Sequence, residues 1–258
     1  MVIRTDTADS SNSAHLHLAS QFAHCMRASY SAFAFTGCIL FVGCGHSSET
    51  NAIADDHKNA TLQITTIMDP HSHARPQEAV ITHLDLDVTV DMVAHTIAGT
   101  ATYKLQRSSG DSVVFDTDGL LIEKVTLADG ALLEYSLGDS TFLGRALRVA
   151  VPAGADQVVV SYRTGANARA LQWLSPEQTA DKTKPFLFTQ GQAILTRTWI
   201  PVQDSPGIRF TYNAKVKVPN DLMALMSAEN PQARSSDGVY SFKMDKPIPA
   251  YLIALAVG

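Results

Sequence analysis

The sequence predicts an all-β fold, an antiparallel β-sandwich with few or no long helices, over residues 79–258. The clearest observation is residues 208–218, in which six apolar side chains alternate with polar ones and so predict a strand with one buried and one solvated face. Residues 84–90 and 97–105 alternate in the same way on either side of a short polar break, which predicts an antiparallel pair. Turn-forming sequences recur between such segments at intervals of about ten residues, as in a β-sandwich.

The remaining strands are predicted from short apolar or alternating runs that stand between turn sequences. They cover residues 113–116, 121–127, 147–151, 158–162, 239–244 and 251–257. No long amphipathic helical pattern and no internal repeat interrupts this series. The whole of residues 79–258 therefore reads as one β-domain.

Composition argues against two classes of protein. The net charge of −5 and the pI near 5.9, with scattered basic residues, give no electrostatic reason to expect a nucleic-acid partner. The three cysteines, Cys25, Cys38 and Cys44, all precede the predicted β-domain. That domain therefore has no disulfide framework.

The N-terminal residues 1–44 are predicted to be an export leader. Met26 and Arg27 open the segment, residues 28–44 carry no charge, and the run ends in Gly43-Cys44, which resembles a bacterial lipobox. This pattern predicts a signal peptide from Met26 to Cys44 and acylation of Cys44. The protein would be exported, as a periplasmic or cell-envelope lipoprotein that its lipid anchors to a membrane. A polar tether and lead-in would follow over residues 45–78. The alternative is that the apolar run is a buried helix of the fold.

The chain contains no familiar catalytic motif. All nine histidines lie at or before His95, and none belongs to a His-Glu-x-x-His sequence. His71 and His73 are the nearest approach to a ligand pair, but no third ligand is near them in the sequence. A Gly-x-Ser-x-Gly elbow and a phosphate-binding loop are absent as well. No catalytic residue and no metal ligand is therefore assigned.

Two glutamines flank a glycine directly after the apolar residues 186–188, in the sequence Gln190-Gly191-Gln192. The residue types alone favour a strand end or a β-bulge whose side-chain amides satisfy backbone groups. The same residue types are also able to bind a polar ligand through their amides. Composition and spacing leave both alternatives open.

The residues that follow predict architecture. Arg197 is predicted to pair with Asp204 and so to hold a loop in place. Pro206-Gly207 predicts a type II turn, whose backbone amides Asp204 would cap. Trp173 is predicted to be a packing anchor because a large aromatic side chain buries much area.

These residues together resemble a signature of the gluzincin zinc aminopeptidases, peptidase family M1, and most closely its leukotriene A4 hydrolase-like branch. The matching residues are Thr189-Gln190-Gly191-Gln192-Ala193, Arg197, Pro201, Asp204 and Pro206. Further matches follow in order at residues 122–125, 223–228 and 249–255, so the resemblance runs from about Asp69 to Gly258.

The resemblance implies that this chain is the N-terminal domain of a peptidase whose partner is a catalytic domain of the same enzyme. Gln190, Gly191 and Gln192 would line the pocket that binds a peptide substrate. Most family members have a glutamate at the position of Gln192, where it holds the free α-amino group of the substrate. The zinc of the complete family enzyme would be held elsewhere.

The chain departs from the family pattern in what it lacks. The Gly-x-Met-Glu-Asn loop, the zinc ligands, the catalytic glutamate and the catalytic tyrosine have no counterpart in this sequence. The resemblance therefore implies a domain that is inactive alone. The alternative function is a stand-alone, non-catalytic β-sandwich lipoprotein that binds a ligand or a protein partner.

Overall fold

The computed structural model describes residues 68–258, which lie in one compact unit. The predicted leader of residues 1–44, with Cys44, and most of the predicted tether lie outside the described residues. Within residues 68–258, none of the helical segments is long and apolar enough to cross a membrane.

The largest element is a six-stranded sheet. Its strands are β1 (Ala79–Asp91), β2 (Thr96–Arg107), β4 (Leu121–Thr126), β7 (Gln157–Arg163), β10 (Arg209–Lys217) and β12 (Val239–Pro249). They lie in the order β12-β10-β1-β2-β7-β4. The alternation predicted for residues 208–218 is confirmed, since buried and exposed side chains alternate along β10. The predicted antiparallel pair is confirmed as β1 and β2.

Two smaller sheets complete the fold. A four-stranded sheet has the order β11-β13-β9-β8 and contains β8 (Leu171–Leu174), β9 (Phe186–Thr189), β11 (Ala224–Met226) and β13 (Leu255–Val257). A three-stranded sheet contains β3 (Ser112–Thr117), β5 (Tyr135–Leu137) and β6 (Arg145–Ala150) in the order β3-β6-β5. Three short 3-10 turns, Pro176–Gln178, Thr196–Thr198 and Ala250–Leu252, are the only helical segments among the described residues.

Buried side chains from all three sheets form a single hydrophobic core. Its largest fully buried members include Trp199, Tyr103, Phe115 and Phe210. Trp173 is only partly buried and packs at the margin of this core, where it stacks on His95 with 4.9 Å between the ring centroids. Trp173 therefore packs only at the edge of the hydrophobic core, whereas Trp199 is fully buried inside it.

The all-β class is confirmed, and the structure adds three details. β1 and β10 pair in parallel, so the large sheet is mixed, because alternation predicts which face a side chain takes but not the direction of its neighbour. Residues 251–257 are not one strand, since the Ala250–Leu252 turn precedes the shorter β13. The strands β5, β8 and β11 have only three or four residues each, too few to show a period.

Candidate functional site

Gln190, Gly191 and Gln192 lie at the end of β9, where the four-stranded sheet passes into a loop. The Gln190 N–H, directly after the last residue of β9, donates a hydrogen bond to the Ala170 carbonyl at 2.8 Å. Gly191 is buried, whereas Gln190 and Gln192 are exposed. Within residues 68–258 neither glutamine side chain hydrogen-bonds to another residue. The segment is therefore a strand end, but its side-chain amides do not satisfy backbone groups of the described chain.

Gly191 fixes this loop by close contact. A Cβ atom on Gly191 would lie 2.8 Å from the Tyr251 carbonyl oxygen and 2.8 Å from the Thr196 hydroxyl. The Leu195 N–H donates to the Gly191 carbonyl at 2.8 Å, and the Thr196 hydroxyl donates to the Ala250 carbonyl at 3.1 Å. The loop is thereby held against the Ala250–Leu252 turn, with Gln192 at its exposed side. The Gln192–Ala193 peptide bond is cis.

The Arg197 side chain holds the far end of the loop. Its Nε lies 3.2 Å from the Asp204 carboxylate, which confirms the predicted pair. The guanidinium also donates to the carbonyl oxygens of Leu143 at 2.9 Å and His71 at 2.8 Å. Both Arg197 and Asp204 are buried. The two guanidinium hydrogen bonds connect the loop to segments that are distant in the sequence.

Asp116 belongs to the same cluster, although the sequence analysis does not identify it. One of its oxygens lies 3.5 Å from the Arg197 guanidinium. Its carboxylate also accepts hydrogen bonds from the Ser72 hydroxyl at 2.6 Å, from the His73 N–H at 2.6 Å and from the Asp204 N–H at 2.9 Å. The only sequence signal is an acidic residue at the end of the apolar run 113–115, in a strand that is buried throughout.

Two buried carboxylates thus share one guanidinium. Burial raises the pKa of Asp204 to about 6, although the Arg197 charge and hydrogen bonds act in the opposite direction. The nearby Asp116 carboxylate adds to the rise. The cluster therefore has an excess of negative charge that a proton can relieve.

The turn after Asp204 differs from its prediction. The Ile208 N–H donates to the Ser205 carbonyl at 3.1 Å, so Pro206 and Gly207 do form a turn. Gly207 is absent from the residues with positive φ, which a type II turn requires at this position, so the type II prediction is wrong. The predicted cap is wrong too, because the Asp204 carboxylate accepts the Arg197 N–H at 3.2 Å instead.

The described residues do not fit a zinc site. Among residues 68–258 no three His, Cys, Asp or Glu side chains come together as ligands of a metal. The His71 imidazole lies 3.5 Å from Asp69 at the surface, while the His73 backbone is bound to Asp116. Three or four convergent ligands are the minimum that zinc needs in a protein.

Comparison with known proteins decides the family. A family model described as the peptidase M1 N-terminal domain matches residues 80–252. This chain belongs to the peptidase M1 family. The match places residues 80–252 in the N-terminal domain of that family, in agreement with the signature around Gln190.

The relatives of this M1 domain are longer proteins. Leukotriene A-4 hydrolase of Xenopus laevis is 40% identical over 203 residues, which cover 74% of this chain and 33% of the relative. Human aminopeptidase B is 44% identical over 120 residues, which cover 45% of this chain and 18% of the relative. The chain thus spans about a third or less of the length of these two curated relatives.

Solved structures agree with the sequence relatives. The M1 domain superposes on yeast LTA4 hydrolase in complex with bestatin with a TM-score of 0.69 at 27% identity, covering 76% of this chain and 31% of that one. An M1 zinc metallopeptidase of Deinococcus radiodurans has the same fold, with a TM-score of 0.55 at 18% identity over 70% of this chain and 42% of that one.

Proposed function

We propose that this chain is the substrate-pocket-shaping N-terminal domain of a zinc metallo-aminopeptidase that removes N-terminal residues from peptides. The observation that carries the proposal is the exposed position of the Gln192 side chain, directly after Gly191, whose backbone packs against Tyr251. An exposed amide on a loop that close contacts hold in place is suited to meet a ligand on another domain.

The chemistry of Gln192 suits the recognition of an ammonium group. Its amide oxygen accepts a hydrogen bond from the free α-amino group of a peptide, without the charge-assisted strength of a carboxylate. Gln190 and the backbone of Gly191 would form the adjoining wall. The amide of Gln190 supplies both a donor and an acceptor for the peptide backbone.

The catalytic domain of the same enzyme would be the partner of this domain. The described residues form no zinc site, so zinc would be held in the part of the M1 relatives that has no counterpart here. In this arrangement the present domain contributes the orientation of the substrate N-terminus, and the reacting groups come from the partner.

The test is a fusion in which this chain replaces the aligned third of the Xenopus relative. We expect the zinc-loaded fusion to release amino acids from chromogenic amino-acid anilides, and the relative without that aligned third to lose most of this activity. Equal activity with and without this chain would contradict a role in the pocket. It would instead favour the non-catalytic lipoprotein.

We also propose that the protein is exported and anchored to a membrane through Cys44. The charge-free residues 28–44 and the Gly43-Cys44 sequence support this localisation. A lipid chain on Cys44, followed by the polar residues of 45–78, would hold the M1 domain at a membrane surface.

A further inference from the structure

Four polar side chains meet on the outer face of the six-stranded sheet. The parallel pairing of β1 with β10 places His83 beside Thr211 and Asp85 beside Asn213. All four side chains lie on the face away from the core, because the residues between them in each strand are buried. The register of the two strands therefore assembles the group from positions that are far apart in the sequence.

Polar atoms of three of these side chains form a nearly equilateral triangle. His83 Nε2 lies 3.2 Å from Asp85 Oδ1 and 3.1 Å from Asn213 Nδ2, and the Asn213 amide donates to Asp85 Oδ1 at 2.8 Å. If Nε2 carries a proton, it donates to the carboxylate but faces a second donor, the Asn213 amide. If Nε2 carries none, it accepts from Asn213 but faces the carboxylate oxygen. Hydrogen bonds alone therefore leave one side of the triangle between like groups.

The dimensions of the triangle match three neighbouring ligands of a six-coordinate metal ion. Half a turn of the Asn213 amide puts its oxygen in the place of its nitrogen, and three acceptor atoms then converge. Metal–ligand bonds of about 2.1 Å at right angles place their donor atoms about 3.0 Å apart, whereas tetrahedral angles place them about 3.4 Å apart. The sides of 3.2, 3.1 and 2.8 Å fit the octahedral arrangement.

The fourth side chain orients the imidazole. The Thr211 hydroxyl lies 2.6 Å from His83 Nδ1, so Nδ1 can keep its proton and donate it there while the Nε2 lone pair stays free for a metal. The His83 side chain is only 19% exposed, whereas that of Asp85 is 48% exposed. Asp85 and Asn213 also line an open groove across the sheet, from which water can supply the remaining ligands.

The neighbouring charges limit the strength of such a site. Asp87, the next outward residue of β1, lies 3.6 Å from Lys215 and is neutralised by it. The exposed Lys104 of β2 and Lys243 of β12 occupy paired positions on either side of the group. Asp85 is therefore the one anionic ligand, and we expect reversible binding of moderate affinity rather than a permanently held ion.

We propose that His83, Asp85 and Asn213 bind a six-coordinate divalent ion of the first transition series, such as Fe²⁺, Co²⁺ or Ni²⁺. An imidazole ligand disfavours Mg²⁺ and Ca²⁺, which take oxygen ligands, and the right-angled triangle disfavours tetrahedral zinc. The third ligand is an amide, so the site is compatible with the absence, among residues 68–258, of three converging His, Cys, Asp or Glu side chains. The inference goes beyond the proposed function, since it uses no residue of the Gln190–Gln192 segment.

The test is calorimetric titration of the 258-residue chain with Co²⁺ at neutral pH. We expect His83→Ala and Asn213→Ala each to weaken one binding site at least about tenfold, because each removes a ligand. His71→Ala and Asn167→Ala are the matched controls, an exposed histidine and an exposed asparagine outside the group, and should leave that site unchanged. The visible absorption of the bound cobalt should be the weak band of a six-coordinate ion.

Asn213→Asp separates a metal site from a purely hydrogen-bonded group. A carboxylate at this position adds charge to the same donor atom, so Co²⁺ should bind at least about tenfold more tightly. A group held only by hydrogen bonds would lose from the same change, because two carboxylates would then repel each other across the triangle. The melting temperature of this variant should accordingly be lowered without Co²⁺ and restored by it.

Three results would overturn the proposal. Equal Co²⁺ binding by the unaltered chain and by Asn213→Ala would place the bound ion elsewhere. Weaker binding by Asn213→Asp would assign the triangle to hydrogen bonding alone, and the intense absorption of four-coordinate cobalt would contradict the octahedral arrangement. If His83→Ala does not fold, the two variants at the exposed Asn213 still decide the question.

Discussion

Gly191 packs against the backbone of Tyr251 so closely that a single added carbon would lie 2.8 Å from the Tyr251 carbonyl oxygen. This contact joins the end of β9 to the turn before β13. The fold therefore determines the position of Gln190, Gly191 and Gln192, and close backbone contacts support the segment that carries the two exposed amides.

Gly191→Ala should destabilise the 258-residue chain by about 1–3 kcal/mol, because the new methyl group forces the loop and the Ala250–Leu252 turn apart. The measurement is the free energy of unfolding from urea denaturation. Gly207→Ala is the control, since the nearest atom to a Cβ there is 3.9 Å away, and it should change stability by less than about 1 kcal/mol. Equal effects of the two variants would show that the Gly191 contact is unimportant.

Arg197→Met should destabilise the protein by about 3–5 kcal/mol, because it leaves the buried Asp116 and Asp204 carboxylates without their shared cation. Arg169→Met removes an ion pair of 2.6 Å to Asp118, but the Arg169 side chain is 58% exposed, so the loss should stay within about 1 kcal/mol. Chemical denaturation at neutral pH compares the two. Similar losses in both variants would mean that the buried cluster contributes no more than a surface pair.

The titration of Asp204 should lower the free energy of unfolding as the pH rises from about 4 to about 6. The pKa of Asp204 is raised from 3.8 to about 6 in the folded state, so the folded protein binds this proton more tightly than the unfolded chain does. The resulting stabilisation is complete below pH 4 and is lost as the pH rises through 6, with an upper limit of about 3 kcal/mol. Denaturation curves at half-unit pH intervals measure it.

Asp204→Asn should remove that dependence, because the amide does not titrate and keeps the shape of the carboxyl group. Asp181 is no source of the effect, since hydrogen bonds from Thr183 lower its pKa to about 2, and its contribution is lost only as the pH falls below 4. An unchanged slope between pH 4 and 6 in the asparagine variant would assign the titration to another group.

Gln192→Ala in the fusion with the catalytic part should raise KM for peptides with a free N-terminus. Loss of a hydrogen bond to a charged group costs about 1.5–3 kcal/mol, which corresponds to a decrease in kcat/KM of roughly ten- to over a hundredfold. Gln192→Glu should retain or strengthen binding, because a carboxylate accepts the same hydrogen bond with charge assistance. If Gln192→Ala unfolds readily but keeps normal kinetics, the residue is structural.

If the proposed anchor exists, Cys44 should carry an acyl group in the protein isolated from its native host. The expected mature N-terminus is Cys44 itself, with the mass of its terminal peptide increased by lipid, because the lipobox-like sequence places cleavage before this residue. Mass spectrometry of that peptide gives the answer. An unmodified Cys44, or a mature N-terminus elsewhere, would rule out the anchor.

The long strands could be predicted from the sequence. Residues 208–218 show their period over six apolar positions, enough to assign each side chain to the core or to solvent, and β10 confirms the assignment. The pairing of Arg197 with Asp204 was also predictable, since the two residues are separated by only a short loop. The short strands β5, β8 and β11 were not, because a few residues carry no period.

The sequence by itself determined the fold class, the faces of the long strands and the family to which the chain belongs. Only the tertiary structure decided the parallel pairing of β1 with β10, the presence of Asp116 beside Arg197 and the contact of Gly191 with Tyr251. It also decided that Phe188 and Leu225 share one exposed face. The physical reason is that alternation encodes the burial of each side chain locally, whereas these contacts join residues far apart in the chain and depend on how the sheets pack.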